Sequence, residues 1–327
     1  MRRRTDSPAR AAMKWLCSML GVILSVMIAI TLMFQYWLIQ NNYATAQDFP
    51  LFSLKLPQWN IQELLTDRTE DTIGGFGSDI VNILLIGQDA REGETSARSD
   101  SMILCTYNKE THRLTLTSFL RDLYVPIPGH GSNRINAAYA AGGMELLEET
   151  LERNFGLCID GSVEVDFSQF AEIIDILGGV ELELRQDEAD YINEKTGSSL
   201  AEGRQLLNGE QALTYSRIRN LDISGDFSRT DRQRKVLSAV MDIFRECSLP
   251  ELAGLVDDLL PMISTDLGAT RLFSLAVDIL PNLSALELSS QYVPAPGTYT
   301  DETIDGMAVL VADPEVVRQM LKDTLLE

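Results

Sequence analysis

Along residues 80–327, short apolar runs alternate with longer stretches of helical spacing, a pattern that predicts a layered α/β domain. The run Val81 to Gly87 (VNILLIG) has the apolar density of a central strand buried on both faces. Met102 to Tyr107 and Arg113 to Phe119 flank the polar stretch Asn108-Lys109-Glu110-Thr111-His112 and predict an antiparallel hairpin. Pairing Tyr107 with Leu114 in that hairpin sets Asp100 opposite Arg121. Downstream, the spacing predicts a helix over Ala137 to Phe155 and a strand over Val163 to Phe167. A helix over Ser168 to Leu177, closed by Gly178-Gly179, and strands at Val180 to Leu184 and Ala212 to Ile218 follow. After them come helices over Arg229 to Glu246, near Leu252 to Leu260 and over Ala269 to Ile279, a strand at Met307 to Val311 and a final helix from Pro314. No linker interrupts the series, so 79–327 reads as one domain.

The N-terminal part follows a different pattern. Trp15 to Ile39 holds no Asp, Glu, Lys or Arg, and as a helix it would reach about 37 Å, enough to cross a bilayer core of about 30 Å. Arg2, Arg3, Arg4, Arg10 and Lys14 precede it against Asp6 alone. The positive-inside rule therefore keeps residues 1–14 in the cytoplasm and exports everything beyond the span. Ala44-Thr45-Ala46 offers a signal-peptidase pattern, but the apolar run is longer than the usual export signal of about 7–15 residues, which favours a retained single-pass anchor in the cell membrane. Residues 40–78 read as an extracellular stalk.

Charge narrows the choice of partner. The chain has 327 residues and a formal net charge of -21. Residues 1–47 contribute five cations and one acid, so the remainder stands at -25, which disfavours nucleic acid. Cys17 sits in the apolar span, and the remaining Cys105, Cys158 and Cys247 are odd in number and lack C-x-x-C spacing, which predicts no disulfide framework or zinc site. With His112 and His130 as the only histidines, a Ser-His-Asp triad has few candidates. Neither a P-loop nor a dinucleotide-binding glycine motif occurs.

Against this acidic background, residues 213–236 gather Arg217, Arg219, Arg229, Arg232, Arg234 and Lys235. On the predicted strand, Arg217 and Arg219 project from one face. On the predicted helix, the stripe Leu237, Val240, Met241, Phe244 extends back to Gln233 and Arg229, which turn inward, while Arg234 and Lys235 turn outward. Asp226 or Ser228 is available as N-cap. Guanidinium forks beside a helix N-terminus suit a phosphate or pyrophosphate. Asp89, Arg91, Arg98, Asp100, Arg121 and Asp122 form a complementary set near a buried strand's end, and two carboxylates beside a phosphate site suit Mg²⁺.

The blocks NILLIGQDAREGETSARSDSMIL, TSFLRDLYVPIPGHGSNRINAAYAAGG, VDFSQFAEIIDILGGVELEL, LNGEQALTYSRIRN and DFSRTDRQRKVL resemble, in order and spacing, those of the LytR-CpsA-Psr family of cell-wall enzymes. The resemblance implies a layered α/β/α domain with a mixed central sheet, preceded by one transmembrane helix. It implies Mg²⁺-dependent transfer of a glycopolymer from a polyprenyl pyrophosphate carrier to the muramic acid C6 hydroxyl of peptidoglycan, the polymer (teichoic acid, capsule or another glycan) left open. On this footing Asp89 and Asp100 hold the metal, while Arg98, Arg121, Arg217, Arg219 and Gln233 contact the pyrophosphate. Arg134, Asn136, Asp226, Arg229 and Arg232 lend close support. An apolar tunnel for the polyprenyl tail is expected between the sheet and the helices at Phe170 to Leu177 and Val236 to Phe244. Leu120 stands where the family usually has proline, which predicts a less rigid strand end. The other readings are a pyrophosphatase acting on the lipid carrier without ligation and a membrane-bound transcriptional regulator.

Overall fold

The computed structural model describes residues 72–75, 78–88, 99–222 and 226–326. The expected anchor at 15–39, Cys17 and most of the expected stalk lie outside them. No helix among the described residues is long and apolar enough to cross a membrane.

A six-stranded mixed sheet forms the centre, in the order β10-β3-β2-β1-β6-β9. Its strands are β1 (Ile80–Gln88), β2 (Ser99–Asn108), β3 (Arg113–Phe119), β6 (Gly161–Asp166), β9 (Ser264–Thr265) and β10 (Glu287–Val293). β1 takes the central place that its apolar run predicts, antiparallel to β2 and parallel to β6. The β2–β3 hairpin has the expected register, Tyr107 opposite Leu114. Strand alternation then divides β1 between two cores. Leu84 and Ile86 join Leu147, Leu151 and Phe155 of helix α1 (Asn136–Phe155) on one face, whereas Val81 packs with Tyr107, Leu267 and Leu275 on the other.

Two hairpins, β4 (Tyr124–Ile127) with β5 (Gly131–Arg134) and β7 (Val180–Leu184) with β8 (Gly203–Leu207), lie apart from the main sheet. Of these strands only β7 is predicted by the hydrophobic pattern. Helices α2 (Phe167–Ile176), α3 (Gln186–Thr196), α4 (Gly209–Ser216) and α5 (Asp226–Glu246) stand around the second hairpin and share a further core that includes Ile174, Ile192, Tyr215 and Val236. The C-terminal part adds α6 (Leu249–Leu259), α7 (Ala269–Ile279), the hairpin β11 (Tyr299–Ile304) and β12 (Met307–Ala312), and α8 (Pro314–Leu325). The folded part reaches upstream of residue 79, since Ile73 is buried and exchanges backbone hydrogen bonds with Gly156 and Cys158. Cys105, Cys158 and Cys247 form no disulfide among the described residues.

The strand expected at Ala212 to Ile218 is instead the end of α4 and the turn after it. Asn208 Oδ1 accepts from the Gln211 N–H at 3.0 Å and Gln211 Oε1 accepts from the Asn208 N–H at 2.9 Å. This reciprocal cap starts a helix just where alternation alone suggests a strand. α4 then lies close against α2. A Cβ at Gly209 would stand 2.0 Å from the Ala171 carbonyl oxygen, and the Gly209 N–H donates to Asp175 Oδ1 at 2.8 Å. Leu120 also departs from expectation. Its N–H donates to the Val293 carbonyl at 2.8 Å, a bond proline cannot make, so the end of β3 is tied to β10.

Gly209→Ala is expected to force α2 and α4 apart and lower stability by about 1–3 kcal/mol, read as a fall of several degrees in the unfolding midpoint. A second expectation concerns Glu148 of α1, which accepts from Ser162 Oγ. Burial pushes its carboxyl from 4.5 to about 7, with Asp266 and Glu152 nearby adding to the rise. A carboxyl raised in the fold stabilises it while protonated, a contribution full below about pH 4.5 and lost as pH climbs toward 7. Glu148→Gln should therefore flatten the decline in unfolding temperature measured as pH rises from 4.5 to about 7.

Candidate active site: an arginine cluster beside an apolar cavity

The C-terminal ends of β1, β3, β6 and β10 and the start of β2 share one edge of the sheet, and the functional side chains collect there. Register alone predicts that Asp100 faces Arg121, and Arg121 Nη1 donates to Asp100 Oδ1 at 2.9 Å. Arg219 Nη2 reaches Asp100 Oδ2 at 3.3 Å, and Arg229 Nη2 reaches the Asp100 carbonyl at 3.2 Å. Asp226, in the first turn of α5, pairs with Arg229 at 2.8 Å and stands 3.6 Å from Arg121 Nε. Asp122 stands 3.3 Å from Arg134, whose Nε and Nη2 also donate to the Ala308 carbonyl. Arg121, Arg134, Arg219 and Arg229, drawn from four separate segments, are thus gathered around three carboxylates.

These carboxylates do not serve the cations equally. Burial opposes the charge on Arg121, yet Asp226, Asp122 and Asp100 hold its pKa above the ordinary arginine value. Arg229 is 2% exposed, and burial, reinforced by Arg219 and Arg121 against Asp226 and Asp100, lowers it to about 10. Its Nε and Nη1 have no hydrogen-bond partner among the described residues. Nη1 stands 3.9 Å from Asp100 Oδ1, too long for a hydrogen bond, and a buried guanidinium with two nitrogens not hydrogen-bonded suits an anion.

Arg217 and Arg219 leave α4 through a turn rather than a strand, and both stay at the surface. Ile218 between them is fully buried while both arginines are exposed. The Arg217 guanidinium stacks over Phe167 at 4.3 Å, a contact that strand geometry does not suggest. Arg234, expected to face solvent, is buried. It donates to the Gln291 carbonyl and Asp231, each at 2.6 Å, and stacks on Tyr292 at 3.9 Å, because β10 covers a second face of α5. Lys235 is exposed as expected. Arg232 turns away from the cluster into a buried ion pair with Glu188 at 2.8 Å and with Asp222. Sequence reasoning missed Glu188 and Asp222, although Glu188 sits three residues after Arg185 in the pattern of a helix cap and accepts from its N–H. Asp89, Arg91 and Arg98 lie outside the described residues.

Beside the cluster, where the tunnel is expected, lies a cavity of about 190 Å³. Leu85, Ile103 and Val163 of the sheet, Phe170 and Ile173 of α2, Leu213 of α4 and Leu237 and Val240 of α5 line it. Ser101 and Gln233 bring polar atoms to the wall and bond to each other at 3.1 Å, and Ser101 adjoins Asp100. An apolar pocket of this lining beside an arginine cluster fits a ligand with an apolar tail and an anionic head.

Asp100 was expected to help hold Mg²⁺. Each of its oxygens accepts from one guanidinium, which leaves lone pairs free on a hard oxygen ligand, so the donor chemistry fits such an ion. No group of three or more acidic, His or Cys ligands occurs among the described residues, and Mg²⁺ shared with substrate phosphates needs only one or two carboxylates.

The fold is mixed α/β, and this edge of the sheet sets a cluster of arginines beside an apolar cavity. A sequence profile of the LytR_cpsA_psr family matches residues 60–324, and the chain belongs to that family. The chain is 35% identical over 251 residues to the polyisoprenyl-teichoic acid–peptidoglycan teichoic acid transferase TagU of Oceanobacillus iheyensis, covering 73% of this chain and 74% of TagU. The solved structure of TagT bound to LIIa-WTA aligns with a TM-score of 0.64 at 28% identity, covering 80% of this chain and 97% of TagT. TagT with bound octaprenyl pyrophosphate lipid aligns at 0.61 and 26%, over 80% and 97%.

Arg229→Met is expected to leave the unfolding temperature of the free protein nearly unchanged, since it removes a poorly compensated buried charge along with its pairing to Asp226. Adding inorganic pyrophosphate should raise the unfolding temperature of the wild type and leave that of the variant almost unmoved.

Proposed function

We propose that this protein transfers a glycopolymer from a polyprenyl pyrophosphate carrier onto peptidoglycan, forming a phosphodiester with the muramic acid C6 hydroxyl. The observation that carries this reading is the apolar cavity adjoining a cluster in which buried Arg229 keeps two nitrogens, Nε and Nη1, without a hydrogen bond. The relatives' names support it, TagU being a teichoic acid transferase and TagT a protein solved with a polyprenyl pyrophosphate lipid.

The polyprenyl tail occupies the cavity, and the pyrophosphate meets Arg121, Arg217, Arg219, Arg229 and Gln233. The acceptor oxygen bonds to the polymer-bearing phosphorus as the bond from that phosphorus to polyprenyl phosphate breaks. Negative charge moves onto the departing phosphate, and the arginines, already fixed around Asp100 and Asp226, stabilise it without reorganising. The hydroxyl proton passes to a carboxylate, Asp89 or Asp100. Mg²⁺, held by Asp100 with Asp89 and the phosphate oxygens, would supply further charge neutralisation. Arg98 joins the pyrophosphate contacts, and Arg134 and Arg232 act behind them. Residues 15–39 anchor the chain in the cell membrane with residues 1–14 in the cytoplasm, and the layered catalytic domain works outside the cell.

Arg217→Ala and Arg219→Ala are each expected to reduce transfer at least about a hundredfold while the unfolding temperature stays close to that of the wild type. The assay is attachment of lipid-linked polymer to peptidoglycan by the full chain in detergent, and full activity in both variants would overturn the reading.

A further inference from the structure

The backbone between Arg217 and Arg219 is held from behind. The Ile218 carbonyl accepts from Arg232 Nη1 at 3.2 Å. Arg232 is 2% exposed, and its Nε donates to Glu188 Oε1 at 2.8 Å while its Nη2 pairs with Asp222. Glu188 is equally buried and accepts from the Arg185 N–H at 3.0 Å through its other oxygen. Arg185 Nη1 closes the ring, 2.9 Å from Asp222 and 3.8 Å from Glu188. Against the opposing pull of burial, Arg232 and Arg185 hold the Asp222 carboxyl below its ordinary range.

This ring of two cations and two carboxylates lies around residues 217–222, a segment outside any helix or strand. Buried ion pairs seldom stabilise a fold more than apolar residues of the same volume would, because desolvation offsets their attraction. Their directional hydrogen bonds do something apolar packing cannot, which is to fix one backbone position. Here the fixed atom is the carbonyl between the two exposed arginines, so a displaced ring would move both guanidinium groups together.

We propose that Glu188 is a positioning residue for the anion site: through Arg232 and Asp222 it sets where Arg217 and Arg219 stand, without touching substrate itself. The proposal rests on the pyrophosphate reading of that site.

The test measures binding of inorganic pyrophosphate and of geranylgeraniol, a tail without an anion, to the full chain in detergent by calorimetry, well below the unfolding temperature. Glu188→Gln is expected to weaken pyrophosphate binding roughly tenfold, and Asp222→Asn, at the outer corner of the ring, to do the same with little effect on folding. Geranylgeraniol affinity should not change in either variant. In a background of Arg217→Ala with Arg219→Ala, Glu188→Gln should cause no further loss, a coupling that a role limited to stability would not produce. Wild-type pyrophosphate affinity in folded Glu188→Gln and Asp222→Asn, or losses that simply add in the combined variant, would overturn the proposal. Absence of pyrophosphate binding by the wild type would overturn the anion site, and this role of Glu188 with it.

Discussion

Guanidinium groups set within a few ångströms of one another repel, and a half-buried setting screens that repulsion less than water does. Asp100 makes the gathering possible here, with Arg121 on one oxygen, Arg219 on the other and Arg229 on its backbone carbonyl. Its position at the start of β2, opposite the end of β3, follows directly from hairpin register. Asp226 supports the same groups from the start of α5. The two carboxylates organise the cations without satisfying all of them, and Arg229 carries the remainder.

The sheet separates the chemistry from the packing that supports it. On the α1 face, Leu84, Ile86 and Met102 meet a dense aliphatic core. On the opposite face, toward α2 and α5, the strand ends border the cavity instead. One side thus provides rigidity and the other provides room, and the polar edge where they meet holds the arginines. The close approach of α4 to α2 at Gly209 holds together the two helices that bring Leu213 and Phe170 to the cavity.

Much of this was legible in the sequence where the signal is local. The apolar run of β1, the β2–β3 register and the inward turn of Arg229 and Gln233 follow from periods of two and 3.6 residues. The errors arise where neighbours distant in sequence decide. Arg234 reads as a surface cation until β10 lies over it, and Glu188 of α3, which holds Arg232 behind the site, leaves no sign of that role in its own sequence neighbourhood. The strand predicted at Ala212 to Ile218 fails for a local reason, since the Asn208–Gln211 cap was present in the sequence and outweighs a short apolar alternation. The exposure of Arg217 and Arg219 survives that error because burial of Ile218 imposes the same alternation in the turn.

Leu120 gives the C-terminal region a stake in the chemistry. Its N–H joins β3 to the last residue of β10 immediately before Arg121, while Leu310 of β12 donates to the carbonyl of Asp122. The Arg121–Asp122 corner is therefore hung between two strands that lie more than 170 residues further along the chain. It reaches its final position only once those strands have docked, so a chain that ends early would lose the geometry of the anion site while retaining every arginine that builds it.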